Sequence, residues 1–260
     1  MGVHPPYLFD AEPGSVAVRS EFDAEITVVA VRDRWGRGLW HRVTTTLNKC
    51  FSQHPRGLLL DLSGLDDASG HSVPTWLNAY RRGEHMDPGV PVALCAPDGG
   101  VLAGRLRRTG DGLPVYPRAD SAREALAGRL PQPRRLFMRI TPESLAARRA
   151  RRLVQDACEA WELPDLEFPA QLVVSELVSN VVEHTGSEGR LLVARRGDGL
   201  HIAVADRSPH LPRPRERNGP DLKEGGRGLQ IVHRLSAVWG AMPIDDGKVV
   251  WATVQDPMPG

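Results

Sequence analysis

Between residues 24 and 130, short apolar runs alternate with longer stretches in which apolar residues recur every three or four positions, and this change of period predicts strand followed by helix. AEITVVAVR (24–32) reads as a strand, 39–54 as a helix and GLLLDL (57–62) as a short buried strand. A second round gives a helix over 71–82, an extended VPVALC (90–95) and helices over 99–108 and 121–130. Such alternation implies a sheet covered by helices. Beyond residue 135 the pattern predicts a strand over 136–140 and a helix from Thr141-Pro142-Glu143 to about Trp161, its start marked by a capping hydroxyl and a proline. A second helix runs from near Pro169 to Thr185-Gly186, where glycine can take the left-handed capping conformation. Segments 190–196 and 200–206 flank the turn Gly197-Asp198-Gly199 and predict a hairpin, with Leu200, Ile202 and Val204 on its core face. A loop rich in Pro, Arg and Gly (208–226), a helix over about 228–238 and a strand over 248–254 complete the chain.

The two patterned regions meet at Arg129-Leu-Pro-Gln-Pro-Arg134, whose prolines deny both helix continuation and sheet hydrogen bonding. This divides the chain into a domain over 1–130, a linker over 131–134 and a domain over 135–260, in keeping with a length above the roughly 100–200 residues of one domain. Hydrophobic residues at 41% and charged residues at 25% suit a folded, water-soluble protein. Thirty-three Lys and Arg nearly cancel 32 Asp and Glu, so no global field recruits nucleic acid or anionic lipid. The five-residue run Arg148-Arg-Ala-Arg-Arg152 wraps around a helix and reads as a solvated face. Cys50, Cys95 and Cys158 are odd in number, widely spaced and flanked by apolar residues, which predicts free thiols in a reducing cytoplasm. No stretch approaches the roughly 20 apolar residues needed to cross a bilayer. The nine histidines show no metal-ligand spacing.

On the helix ending at His184, Glu176, Asn180 and Glu183 share one face, while Val174, Leu177, Val178 and Val181 take the other. A carboxylate one turn from a carboxamide can place a proton acceptor beside an oxygen ligand for a hard cation. Alone, the same face reads as a solvated surface. Two later segments alter that balance: a strand ending in Asp206-Arg207-Ser208-Pro209, and Gly225-Gly226-Arg227-Gly228-Leu229 opening a helix. An aspartate at a strand end can accept a hydrogen bond from an exocyclic amine, and glycines before a helix bring bare backbone N–H groups to phosphate oxygens. Neither Walker A nor a complete dinucleotide fingerprint is present, which removes the P-loop and Rossmann alternatives.

Glu176-Leu-Val-Ser-Asn180, Asp206-Arg-Ser-Pro209 and Gly226-Arg-Gly-Leu229 resemble the N, G1 and G2 boxes of GHKL ATPases. SELVSNVVEH (175–184) and GGRGLQIVHRL (225–235) are most similar to the anti-sigma-factor serine kinases within that superfamily. The resemblance covers about 135–254 and implies a two-layer α/β sandwich of the GHKL (Bergerat) type that binds ATP and Mg²⁺. It implies that Asn180 coordinates the metal, that Asp206, with Ser208 beside it, recognises adenine, and that Gly226, Arg227, Gly228 and Leu229 line the phosphates. Glu176 is then the catalytic base of a serine protein kinase acting on a STAS-domain anti-sigma-factor antagonist in transcriptional regulation. A sigma factor and a homodimer are further associations the resemblance allows; nucleic acid and membrane are not expected as direct partners. Arg213, Arg215, Arg217, Lys223 and Arg227 lie in or beside the expected lid, and the sequence does not choose among them.

Two departures from the family pattern bear on affinity: Ser208 replaces a common glycine, and Val249 stands where a threonine commonly lies near adenine. The N-terminal half resembles a STAS domain through LLLDLSGLDDASG (58–70), but Asp67-Ala68-Ser69-Gly70 has alanine where the antagonists carry the phosphorylated serine. Ser69 and Ser72 then read as helix-capping groups, and this domain as a docking or regulatory module. With Ser208 and Val249, Ala68 motivates the alternative of a catalytically weak, nucleotide-gated binding protein.

Overall fold

In the computed structural model, residues 7–9, 14–110, 112–131, 134–184, 186–212 and 227–255 are described. The chain forms two compact units, Asp10–Gln132 and Pro133–Gly260, the second also taking Gly2–Phe9. In chain order, β1 is Tyr7–Leu8, β2 Val16–Glu21, β3 Ile26–Arg34, α1 Arg37–Gln53, β4 Gly57–Asp66 and α2 Val73–Glu84. They are followed by β5 (Val92–Cys95), α3 (Val101–Arg107), β6 (Val115–Tyr116), α4 (Ala119–Ala127) and β7 (Arg135–Ile140). The remainder is α5 (Ala146–Trp161), α6 (Pro164–His184), β8 (Gly189–Arg196), β9 (Gly199–Asp206), α7 (Arg227–Leu235), β10 (Val238–Ile244) and β11 (Gly247–Val254).

The first unit is an α/β sheet in the order β6-β5-β4-β3-β2, parallel except for β2. The apolar runs become buried strands, as in Leu58, Leu59 and Leu60, and α4 closes one face by setting Ala122 and Leu126 against Ile26, Leu59 and Ala93. The start of α2 departs from the expectation for Ser72. Although Ser72 is at the N-cap position, its hydroxyl makes no capping bond; it donates to Asp67 Oδ2 at 2.6 Å and accepts Trp76 Nε1–H at 2.8 Å. Asp67 ties down the turn that leads into the helix, accepting the backbone N–H groups of His71 at 3.0 Å and Ser72 at 2.8 Å. Burial alone would raise the Asp67 carboxyl, but the bonds from Ser72 and His71 outweigh it and hold it below its ordinary 3.8. Ala68 and Ser69 are exposed on the same turn.

Asp67→Ala would strand a buried hydroxyl and two N–H groups and is expected to destabilise the first unit by about 2–3 kcal/mol, measured by urea unfolding at pH 7. Because the carboxyl is depressed in the folded state, the stability it contributes is present above the unfolded value and disappears as pH falls through the folded one. The gap between wild type and variant should therefore close in acid.

The second unit is a sheet in the order β1-β10-β11-β9-β8-β7, antiparallel except where β1 joins β10, with α5 and α6 packed on it. Ile140, Val154, Val174, Leu177, Leu191, Ile202 and Val204 form its core. The hairpin falls where expected, Arg196 facing Gly199 and Gly197 in the left-handed region at φ 57°. Its outer positions, however, are buried as well: His201 stacks on Trp251 at a centroid distance of 5.9 Å and shares a hydrogen bond with Thr253 Oγ1 at 3.1 Å. The exposure of Arg148, Arg149, Arg151 and Arg152 on α5 agrees with a solvated face.

In the second unit, three helix boundaries differ from expectation. Helix α5 begins at Ala146 because Thr141-Pro142-Glu143 forms its own turn, the Glu143 carboxylate accepting from the Thr141 hydroxyl and from Arg149. Helix α6 begins at Pro164 and runs through Pro169, which forfeits one backbone bond while Leu166 and Ala170 bury into the core. The last helix stops at Leu235, and Val238 starts a strand.

Candidate functional site

Helix α6 lies across β9 and β11 and against α7, and this arrangement brings the three motifs to one side of the second sheet. Its apolar face is sunk through Val174, Leu177, Val178 and Val181, leaving Glu176 and Asn180 half-buried on the flank. Neither side chain has a hydrogen-bond partner among the described residues, so a carboxylate and a carboxamide one turn apart are both available to a ligand. The Glu176 carboxyl is pushed above its ordinary 4.5, first by desolvation and then by the charge of Glu183. Above it comes the first turn of α7: a β-carbon on Gly228 would fall within 3.0 Å of Glu176 Oε2. Glycine is what lets the helix start close over the carboxylate.

Asp206 ends β9 with its side chain on the helix-covered face, in phase with the core residues Ile202 and Val204. It is buried. Its Oδ1 accepts the Ser208 backbone N–H at 2.7 Å and the Lys248 ammonium at 2.9 Å. Oδ2 has no partner among the described residues. Register explains the lysine: β11 pairs Lys248 with Asp206, and Gly247 before it lies where any β-carbon would strike the Asp206 carbonyl. Val249 pairs with Ala205 and turns to the opposite face, so the side chain from the last strand beside Asp206 is Lys248. Sequence reasoning missed Lys248. Counting register back from the hairpin turn, with Asp206 as reference, would have found it.

Leu229 is half-buried and packs against the core cluster of the second unit. Arg227 opens α7. Gly226 and the lid candidates Arg213, Arg215, Arg217 and Lys223 lie outside the described residues.

A separate pocket of about 180 Å³ is lined by Arg139, Arg190, Asp206, Arg207 and Asp246 among others, but contains neither Glu176 nor Asn180. Its charges largely pair off, Arg139 with Glu188 at 2.6 Å and Arg190 with Asp246 at 3.4 Å. Arg139 and Arg190 alternate with core-facing neighbours, which places them on the other side of the strand ends.

The residues suit a magnesium nucleotide: a carboxamide oxygen without a partner among the described residues for the metal, a buried acceptor for an amine, and a bare glycine at a helix start.

Residues 139–254 match the family model of the histidine kinase-like ATPase domain. The second unit thus carries an ATPase domain of the GHKL type. No curated protein matches the chain. Among solved structures, an anti-sigma factor antagonist from Mycobacterium paratuberculosis is similar at 17% identity and a TM-score of 0.37, covering 48% of this chain and 98% of its own. No helix among the described residues is long and apolar enough to cross a membrane.

Proposed function

We propose that this chain is a magnesium- and ATP-dependent serine protein kinase of the anti-sigma-factor type, acting on a STAS-domain protein. The observation that carries the proposal is Glu176: a desolvated carboxylate without a hydrogen-bond partner among the described residues, one helical turn from Asn180 and directly beneath Gly228. Glu176 accepts the proton of a serine hydroxyl as that oxygen attacks the γ-phosphorus and the bond from that phosphorus to the bridging oxygen of ADP breaks, and its raised pKa makes it a better acceptor than an exposed glutamate. Asn180 would hold the magnesium ion, whose charge offsets that of the phosphate oxygens. Asp206 accepts the exocyclic amine of the base. The N–H groups opening α7, with Gly228 giving them clear approach, receive phosphate oxygens.

Exposed Ala68 on the turn before α2 removes the expected acceptor hydroxyl from this chain's own first unit, so the serine belongs to another protein. The first unit then acts as a docking or regulatory module, and the boundary between the two functions falls at the proline-rich segment 131–134.

The test is transfer from γ-labelled ATP, with magnesium, to purified STAS-domain proteins. Label on a serine of the partner supports the proposal. Nucleotide binding with no transfer to any of them would leave a nucleotide-gated regulator instead.

A further inference from the structure

Lys248 is nine-tenths buried beside Asp206, the two side chains being 11% and 4% exposed. An ammonium desolvated to this degree normally exists to satisfy a fixed partner. Here it donates to Asp206 Oδ1 at 2.9 Å and comes within 3.5 Å of the Ser208 carbonyl oxygen. Together with the Ser208 N–H, it saturates Oδ1 and leaves Oδ2 as the acceptor presented to a ligand. An ammonium has three N–H donors, and among the described residues at most two are engaged. The site wall therefore offers a fixed acceptor with a donor at its side.

We infer that Lys248 determines which bases the site accepts. This rests on the nucleotide-binding function proposed above. An acceptor alone suits an edge that only donates, such as an exocyclic amine. An acceptor beside a donor suits an edge that carries both groups, in either order. Adenine offers an amino N–H next to a ring nitrogen acceptor; a 6-oxopurine offers a carbonyl next to a ring N–H, so that Asp206 and Lys248 exchange targets. The site therefore takes adenine and 6-oxopurine triphosphates alike, and removal of the ammonium narrows it to adenine. A lone carboxylate repels the carbonyl of a 6-oxopurine, whereas the paired ammonium gives that oxygen a donor.

The experiment is calorimetric titration of the full chain with ATP and with inosine triphosphate, for wild type, Lys248→Arg and Lys248→Thr. Thermal melts of the nucleotide-free proteins confirm that each is folded. Wild type and Lys248→Arg should bind the two nucleotides within about tenfold of each other, while Lys248→Thr should favour ATP by at least about tenfold more than wild type does. An unchanged ratio in Lys248→Thr overturns the inference and leaves ATP binding intact. So does rejection of the inosine nucleotide by wild type, a comparison that needs no variant. Failure of wild type to bind either nucleotide would overturn the nucleotide-binding function itself, and this inference with it.

Discussion

Glu176→Gln should lower phosphoryl transfer by about 10²–10⁴-fold while leaving ATP affinity almost unchanged, because it removes a proton acceptor used in the transition state and keeps the side chain's shape. Label-transfer rates and calorimetry on the same preparations separate the two effects. Desolvation, reinforced by Glu183, raises the carboxyl above its ordinary 4.5. Transfer by the wild type should accordingly rise with pH through that elevated value, since only the ionised form accepts a proton. Stability should move the other way. A carboxyl whose folded pKa is raised contributes stability below its unfolded pKa and loses it as pH rises through the folded value. Glutamine does not titrate, so the melting temperature of Glu176→Gln relative to wild type should increase from pH 4 to pH 8. A variant that transfers phosphate at the wild-type rate would remove Glu176 from the chemistry.

Gly228→Ala should be nearly as damaging to transfer, for a different reason. Alanine is favoured over glycine inside a helix by about 1 kcal/mol, so α7 itself gains. The added methyl, however, would sit within 3.0 Å of Glu176 Oε2, the end of a flexible side chain that can rotate away at small cost. Global stability should stay within about 1 kcal/mol of wild type, as urea unfolding would report. The carboxylate is displaced all the same, and positioning errors of this size cost about 10²-fold in rate. Pairing the change with Glu176→Ala provides the control. In the double variant the methyl has no carboxylate to displace, so any loss of ATP affinity relative to Glu176→Ala alone reports obstruction of the phosphate oxygens at the opening of α7. If Gly228→Ala transfers phosphate normally, the closeness of α7 to Glu176 has no catalytic meaning.

The geometry of the candidate site was legible wherever it depends on local spacing. Glu176 and Asn180 are separated by one turn, and a helix interrupted by no glycine must carry them on one face, so their shared flank followed from the sequence. Asp206 at a strand end followed from the hairpin turn at Gly197. What escaped depended on partners remote in sequence. β10 carries Gly240 and Pro243, which weaken a strand signal; the glycine is there because a β-carbon would collide with the Tyr7 carbonyl, some 230 residues earlier in the chain. β1 is two residues long and has no period to detect. Lys248 looked like an ordinary surface cation of a hairpin until register set it against Asp206. In the first unit, Ser72 had the composition of a cap, but its hydroxyl is taken by the earlier Asp67, which also accepts the N–H groups of the turn before the helix.

The most direct test of the account is calorimetric titration of ATP into the full chain, with magnesium and with EDTA, for wild type and Asn180→Ala. The account predicts wild-type binding that weakens sharply when magnesium is removed, and an Asn180→Ala variant whose affinity is low and insensitive to the metal. Wild-type protein that does not bind ATP, or an Asn180→Ala variant that keeps the full magnesium dependence, would contradict it.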